Sequence, residues 1–201
     1  MNVVYISWDK AIKMCYKLAE KVLKSNQGFD VVVAISRGGL IPARIISDIL
    51  GIDELYTIRS KFWGTGGTIA SEPLVRVPQN IDVKNKDVLV VDEVVDTGAT
   101  MTKTVKIIRN LGARKVKAAT LHYKLRSKFI PDYYVEKVKK WVWIFYPWSF
   151  SETLFGLAKM RGYKDVIHGA SEIIRELRIK EVLIDSESLK LSLKAYMEGG
   201  M

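Results

Sequence analysis

Two short, uninterrupted apolar runs organise the chain: DVVVAI at 30–35 and DVLVVD at 87–92. Runs of this length without polar alternation belong to strands buried on both faces, as in parallel sheets. Small residues and a helical pattern follow each one. SRGG leads into LIPARIISDILG, a helix that ends at Gly51, and EVVDTGA leads into TMTKTVKIIRNLG at 100–112, which also closes on glycine. ELYTIR (54–59) and KVKAATLHYK (115–124) predict two further strands. Ahead of them, Ser7 predicts the cap of a helix to about Leu23, with Ile12, Cys15, Leu18 and Val22 on one face. Strand, loop, helix and strand in repetition predict an α/β fold, a mainly parallel sheet flanked by helices. SKFWGTGGTIASEP (60–73), rich in Gly, Ser and Thr, predicts a long exposed loop.

The pattern changes after Pro131. WVWIFYPW (141–148) predicts an aromatic strand running into a turn at Pro147. From Phe150 the periodicity is helical, with one run, EVLID (181–185), that fits a strand or a helix link. Leu189, Leu193, Tyr196 and Met197 fall on one helix face. The expected organisation is a core over 1–130, a small segment over 131–150 and a helical C-terminal extension over 151–201.

With 48% hydrophobic and 27% charged residues in 201, the composition is that of a folded chain. No apolar run reaches the roughly 18 residues that span a bilayer, so no membrane partner is expected. MNVVYISWDKAIKM lacks the pattern of a signal peptide, and the single cysteine, Cys15, fits a reducing cytoplasm. His122 and His168 are the only histidines and make no zinc spacing, so a metal here would be a hard cation held by oxygens. The net charge of +10 suggests an anionic partner. Between Lys103 and Lys140 the chain carries 12 Lys and Arg against Asp132 and Glu136 alone. A phosphate-rich small substrate, nucleic acid and a merely solvated basic face all fit that surplus.

VLVVDEVVDTGAT (88–100) carries the most chemistry. A buried strand ends in Asp92 and Glu93, Asp96 follows, and Thr97, Gly98, Ala99 and Thr100 open a helix. Open α/β sheets bind ligands at the carboxyl ends of their strands. A turn of small residues there closes its N–H groups around a phosphate, and the helix N-terminus adds its dipole. Two adjacent carboxylates cannot face that phosphate, so they must serve sugar hydroxyls or a divalent cation. The plain alternative is a strand–turn–helix in which Asp and Thr only cap.

The segment resembles the phosphoribosyl pyrophosphate (PRPP) motif of type I phosphoribosyltransferases over all its 13 residues, 88–100. That family's α/β fold carries a small hood, expected here in 131–150. The resemblance implies that Asp92 and Glu93 bind the ribose hydroxyls, that Thr97, Gly98, Ala99 and Thr100 hold the 5-phosphate, and that Asp96 manages a proton of the base. Mg²⁺ is then the implied cofactor, touched by Asp92 and Glu93 indirectly, through substrate and water. AISRGGLIPA (34–43) is similar to the family's pyrophosphate loop, which assigns Ser36, Arg37, Gly38 and Gly39 to pyrophosphate and implies a cis peptide at Ser36–Arg37. The 60–73 segment is similar to the family's mobile catalytic loop, with Arg59 and Lys61 as catalytic contacts to pyrophosphate or as solvated strand-end charges.

Two further features are similar to the purine branch, the xanthine-guanine and hypoxanthine enzymes. Lys124 stands where those enzymes place a lysine that donates to O6, and WIFYPW (143–148) resembles their Trp-Ile-x-x-Pro-Trp segment, assigning Trp143 and Ile144 to the base. The implied substrates are PRPP and a purine base, a 6-oxopurine ahead of adenine, with pyrophosphate released in purine salvage. A homodimer or larger homo-oligomer is implied too. An alternative of another class is a PRPP-sensing regulator that binds nucleic acid. The absence of a helix-turn-helix pattern at the N-terminus and the presence of all three acids disfavour a nucleic-acid partner.

Overall fold

The protein is described by a computed structural model over residues 2–61, 63–64, 67–68, 72–180 and 185–199, with the backbone alone at 61, 63–64 and 67–68. The elements begin with β1 (Val3–Tyr5), α1 (Trp8–Lys24), β2 (Val31–Ser36), α2 (Leu40–Leu50) and β3 (Leu55–Lys61). Then come β4 (Trp63–Gly64), β5 (Gly67–Thr68), β6 (Leu74–Arg76), β7 (Asp87–Val95), α3 (Ala99–Asn110) and β8 (Lys115–Lys124). β9 (Tyr133–Val138), β10 (Trp143–Phe145), a 3₁₀ turn at Pro147–Ser149, α4 (Phe150–Met160), α5 (Val166–Glu176) and α6 (Ser186–Glu198) complete the chain. Contacts divide it into two compact units: Asp9–Phe62 with Ala70–Trp141, and Met1–Trp8 with Trp63–Ile69 and Val142–Met201.

The larger unit holds a six-stranded sheet in the order β6-β3-β2-β7-β8-β9. Every pair is parallel except β3 with β6, so the sheet is mainly parallel, with the α/β character that the alternation of elements predicts. The two uninterrupted apolar runs occupy its middle. Val31 to Ile35 and Asp87 to Val91 are all buried, as strands covered on both faces require. Met101, Val105 and Ile108 of α3 join Val33, Ile35, Val88 and Val90 in one core cluster. Gly51 closes α2 with φ +65°, a backbone state that glycine adopts without a steric penalty.

Several expectations shift. β7 runs on to Val95, because β8 is long enough to give Asp92 and Val94 ladder partners in Thr120 and His122. Asp92 and Glu93 therefore lie in the strand. Within the segment read as one long loop, Trp63 and Gly64 pair antiparallel with Thr68 and Gly67. The aromatic strand shrinks to Trp143–Phe145, and Pro147, which has no N–H to donate, opens the 3₁₀ turn. β1 and β9 are additional; each is short and lacks a long apolar run. Residues 181–184 of the run EVLID lie outside the described residues.

The basic stretch does not form one face. Arg114 and Lys115, at the start of β8, pair with Asp87 at 2.7 and 3.1 Å, and Lys117 pairs with Asp132. Lys124 stands at the other end of the same strand. Among the described residues, no helix is long and apolar enough to cross a membrane.

In the smaller unit β1 and β10 pair in parallel, Val3 with Trp143 and Tyr5 with Phe145. Phe145, Leu154, Leu157, Ile173 and Leu193 form its buried centre, where α4, α5 and α6 meet. On α6, Leu193 is fully buried and Leu189 and Tyr196 pack beside the core, while Met197 is 43% exposed. Leu193→Ala should therefore destabilise the protein by about 2–5 kcal/mol. Met197→Ala should stay within about 0.5 kcal/mol. Denaturant midpoints of the two variants check this, and equal effects would contradict the docking of α6 through Leu193.

Candidate active site

At the carboxyl end of the large sheet, the register brings Ser36 of β2 beside Arg59 of β3, and Asp92 of β7 beside Thr120 of β8. The Ser36 Oγ donates to the Ile58 carbonyl at 3.2 Å. The Ser36–Arg37 peptide is cis, as the loop's resemblance implies. Gly38 and Gly39 then pass close to β7. A Cβ on Gly38 would stand 2.5 Å from the Glu93 carboxyl carbon, and one on Gly39 would stand 2.5 Å from the Val91 carbonyl oxygen. Backbone blocks any side chain at Gly39, whereas at Gly38 a Cβ would have to push the Glu93 side chain aside. The loop that follows β2 is thus pressed against the strand that carries the acids.

Asp92 is half-buried, and its Oδ1 accepts from the Glu93 N–H at 2.8 Å. Burial pushes its carboxyl well above the usual range, the neighbouring Glu93 charge pushes it the same way, and the N–H bond opposes both. Such a carboxyl favours a partner that offers a proton or a positive charge.

The turn after β7 is held from outside. Gly98 has φ +85° and precedes the first residue of α3, Ala99. A Cβ there would lie 2.5 Å from Ser127 Oγ and 2.6 Å from Phe129 Cβ. Lys128 N–H donates to the Thr97 carbonyl at 3.1 Å, and Ser127 Oγ donates to the Phe129 carbonyl at 2.8 Å. The segment after β8 therefore clasps the turn. At the start of α3 the Ala99 N–H donates to Thr97 Oγ1 at 3.4 Å, and the opening N–H groups of a helix have no carbonyl of their own helix to donate to.

Asp96 leaves this turn toward β8. Its Oδ2 accepts from Lys124 Nζ at 2.6 Å, and its Oδ1 accepts from Arg126 Nε at 2.6 Å. Lys124 is almost fully buried, and burial lowers its ammonium while Asp96 holds it up. The Trp141 ring lies beneath both cations, 5.0 Å from Lys124 Nζ and 5.5 Å from the Arg126 guanidinium carbon. His122, buried on the same strand, faces Glu136 at 3.4 Å, and Lys10 approaches Glu136 at 3.5 Å. Burial drops His122 to about 4. Glu136 works against that shift, and the Lys10 and Lys124 charges add to it.

The larger unit thus brings together Ser36, Arg37, Gly38, Gly39, Asp92, Glu93, Asp96, Thr97, Gly98, Ala99, Thr100 and Lys124 at one end of its sheet. Arg59 is exposed at the same end, and the Lys61 side chain lies outside the described residues. Trp143 and Ile144 lie in the smaller unit. There Trp143 packs against the Phe145–Leu154 core with its Nε1 buried and unpartnered, and Ile144 is half-buried. Sequence reasoning missed Arg126 and Trp141. Arg126 is one of 12 cations in its stretch, and no periodicity separates it from the others.

Comparison with known proteins gives this geometry a family. The pattern of the phosphoribosyl transferase domain matches residues 5–153. A xanthine-guanine phosphoribosyltransferase of Gluconobacter oxydans is 32% identical, over 72% of this chain and 83% of that protein. The crystal structure of a purine phosphoribosyltransferase from Pyrococcus horikoshii is 37% identical with a TM-score of 0.63, covering 74% of this chain and 94% of its own. A ribose-phosphate pyrophosphokinase of Pyrococcus furiosus is 34% identical over 61% of this chain, which spans only 44% of that protein's length.

A pH prediction follows from His122. Its ordinary value is 6.5 and its folded value about 4. Between these the unfolded chain takes up a proton that the folded chain refuses, so stability falls as pH falls through this window. His122→Gln removes that loss. Urea midpoints at pH 7 and pH 4.5 should drop less for the variant than for the wild type, and an equal drop would contradict a neutral, buried His122.

Proposed function

Because the chain belongs to the type I phosphoribosyltransferase family, in its purine branch, we propose that it transfers the 5-phosphoribosyl group of PRPP to a 6-oxopurine, giving the nucleoside monophosphate and pyrophosphate. The observation that carries this reading is the Lys124 ammonium, 5% exposed and 2.6 Å from Asp96, at the same strand ends as the clasped turn.

The turn Thr97–Thr100 receives the 5-phosphate, through backbone N–H groups at the start of α3 and the threonine hydroxyls. Asp92 and Glu93 accept from the ribose 2- and 3-hydroxyls, partners that suit a carboxyl raised by burial and by a like charge. The turn Ser36–Gly39 takes the pyrophosphate, with Arg59 exposed beside it. As the bond from C1 to pyrophosphate breaks, the ribose gains oxocarbenium character and the base nitrogen attacks C1. Asp96 accepts the proton that the other imidazole nitrogen of the base, N7, sheds as the attacking nitrogen forms its bond to C1, and Lys124 donates to O6, where negative charge gathers.

Magnesium fits this arrangement as an ion carried largely by the substrate. Among the described residues no group of three or more potential ligands exists. Asp92 and Glu93 supply two carboxylates whose mutual repulsion a cation relieves. Bound there with PRPP, Mg²⁺ would neutralise charge on the leaving pyrophosphate. A cytoplasmic setting, a buried free thiol at Cys15 and a homodimer or larger homo-oligomer complete the reading.

The test incubates the protein with PRPP, Mg²⁺ and each of adenine, hypoxanthine, guanine and xanthine, and follows pyrophosphate. Turnover should favour the 6-oxopurines. A charge-assisted bond to O6 is worth about 1.5–3 kcal/mol. Lys124→Met should therefore cut kcat/KM for hypoxanthine by about ten- to a hundred-fold. Lys124 also pairs with Asp96, so the variant loses rate with every base, and the hypoxanthine-to-adenine ratio is the discriminating quantity. A wild-type preference for adenine, or an unchanged ratio in the variant, would overturn the 6-oxopurine assignment.

A further inference from the structure

Asp96 is gripped twice, by cations of different character. Lys124 on Oδ2 has a side chain 5% exposed, whereas Arg126 on Oδ1 is 46% exposed. A second guanidinium nitrogen of Arg126 also contacts Oδ1. The proton acceptor of the proposed reaction thus has one cation fixed by burial and another at its rim.

Arg126 is no random surface partner. Its backbone is held on both sides: Leu125 N–H donates to the Val138 carbonyl at 3.0 Å, and Ser127 N–H donates to the Lys124 carbonyl at 2.9 Å. Two residues further on, Lys128 N–H reaches Thr97 at 3.1 Å, beside Asp96 itself. The guanidinium also lies over the Trp141 ring, which Lys124 shares. Clasp and ring together place the guanidinium fork at one edge of the carboxylate.

The consequence lies in the soft torsion of an aspartate. Rotation about its last bond is broad and roughly two-fold, so a single contact on Oδ2 leaves the carboxylate plane poorly defined. A second contact on Oδ1, from a rigid planar fork, fixes that plane. Each carboxylate oxygen has two lone-pair sites, so acceptor capacity remains for the base. The Arg126 side of the pair is 46% exposed, and Lys124 still holds the carboxylate without it, so the pair adds modestly to folding stability.

We propose that Arg126 is a positioning residue for Asp96: it fixes the plane of the carboxylate so that its remaining lone pair meets the N–H of the incoming base. This rests on the role given above to Asp96 in the transfer to a purine. The effect is exerted during proton transfer and not on PRPP binding.

The experiment is steady-state kinetics on the full chain with PRPP, Mg²⁺ and the best 6-oxopurine. It compares wild type, Arg126→Gln, Arg126→Lys, Asp96→Asn and the double variant Arg126→Gln/Asp96→Asn. Arg126→Gln should lower kcat by about ten-fold, the scale of a misaimed catalytic group. Its KM for PRPP should stay within about two-fold of wild type, with the melting temperature nearly unchanged. Arg126→Lys should recover part of the loss, because it restores the charge without the fork. In the Asp96→Asn background Arg126→Gln should cost nothing further, since the two act as a unit. Full additivity in the double variant, a raised KM for PRPP with kcat kept, or an unchanged kcat would each overturn the proposal. Wild-type kcat in Asp96→Asn alone would instead remove the role of Asp96, and Arg126's with it. No turnover by the wild type with any purine would overturn the activity on which both rest.

Discussion

Asp96 and Lys124 are 28 positions apart in the chain, and their side chains meet at 2.6 Å with both largely out of water. A buried ammonium and a buried carboxylate are each costly alone, and removing either partner of such a pair leaves an uncompensated charge. That constraint reaches outward. β8 must keep its ladder to its last residue, where Lys124 pairs in register with Val138 of β9. The turn after β7 must bring Asp96 back over the sheet, and Gly98 allows that with a left-handed backbone. The segment beyond β8 then has to lie where Ser127 and Phe129 touch Gly98. One ion pair therefore aligns the turn after β7 with the carboxyl end of β8.

The two loops of the site meet by shape rather than by charge. Gly38 and Gly39 have no side chains, and that lets the loop after β2 lie against Glu93 and the β7 backbone. The price is local permissiveness in the unfolded chain, where each glycine has more conformations to lose. Further along the same segment the charges differ: Asp92 and Glu93 raise each other's cost, while Asp96 is held by two cations. The adjacent carboxylates and the doubly gripped one stand within five residues of each other. That asymmetry is the one on which the proposed split between ribose and base rests.

Much of this was legible in one dimension because it rests on local signals. The apolar runs at 30–35 and 87–92 read as strands covered on both sides, which puts the acids and small residues behind the second at its carboxyl end, and the sheet bears this out. Lys124 was legible through its place at the end of a strand. The grip on Asp96 was not. Arg126 and Trp141 reach it through a loop and across a strand, and neither distance leaves a period in the sequence. β1 and β9 escaped for another reason. Three residues of Val and Tyr, or a strand reading YYVEKV, become strands only because a neighbour offers its edge.

The smaller unit is stitched from distant parts of the chain. Among the described residues β1, at 3–5, pairs with β10, at 143–145, and with no other strand. During synthesis, the six-stranded sheet has every strand available once Val138 has been added, whereas β1 waits for Phe145 and its core waits for Leu193. A segment that precedes every strand of the large sheet is thus among the last to find its place. Loss of residues 3–5 would be felt among α4, α5 and α6, whose core Val3 and Tyr5 pack against.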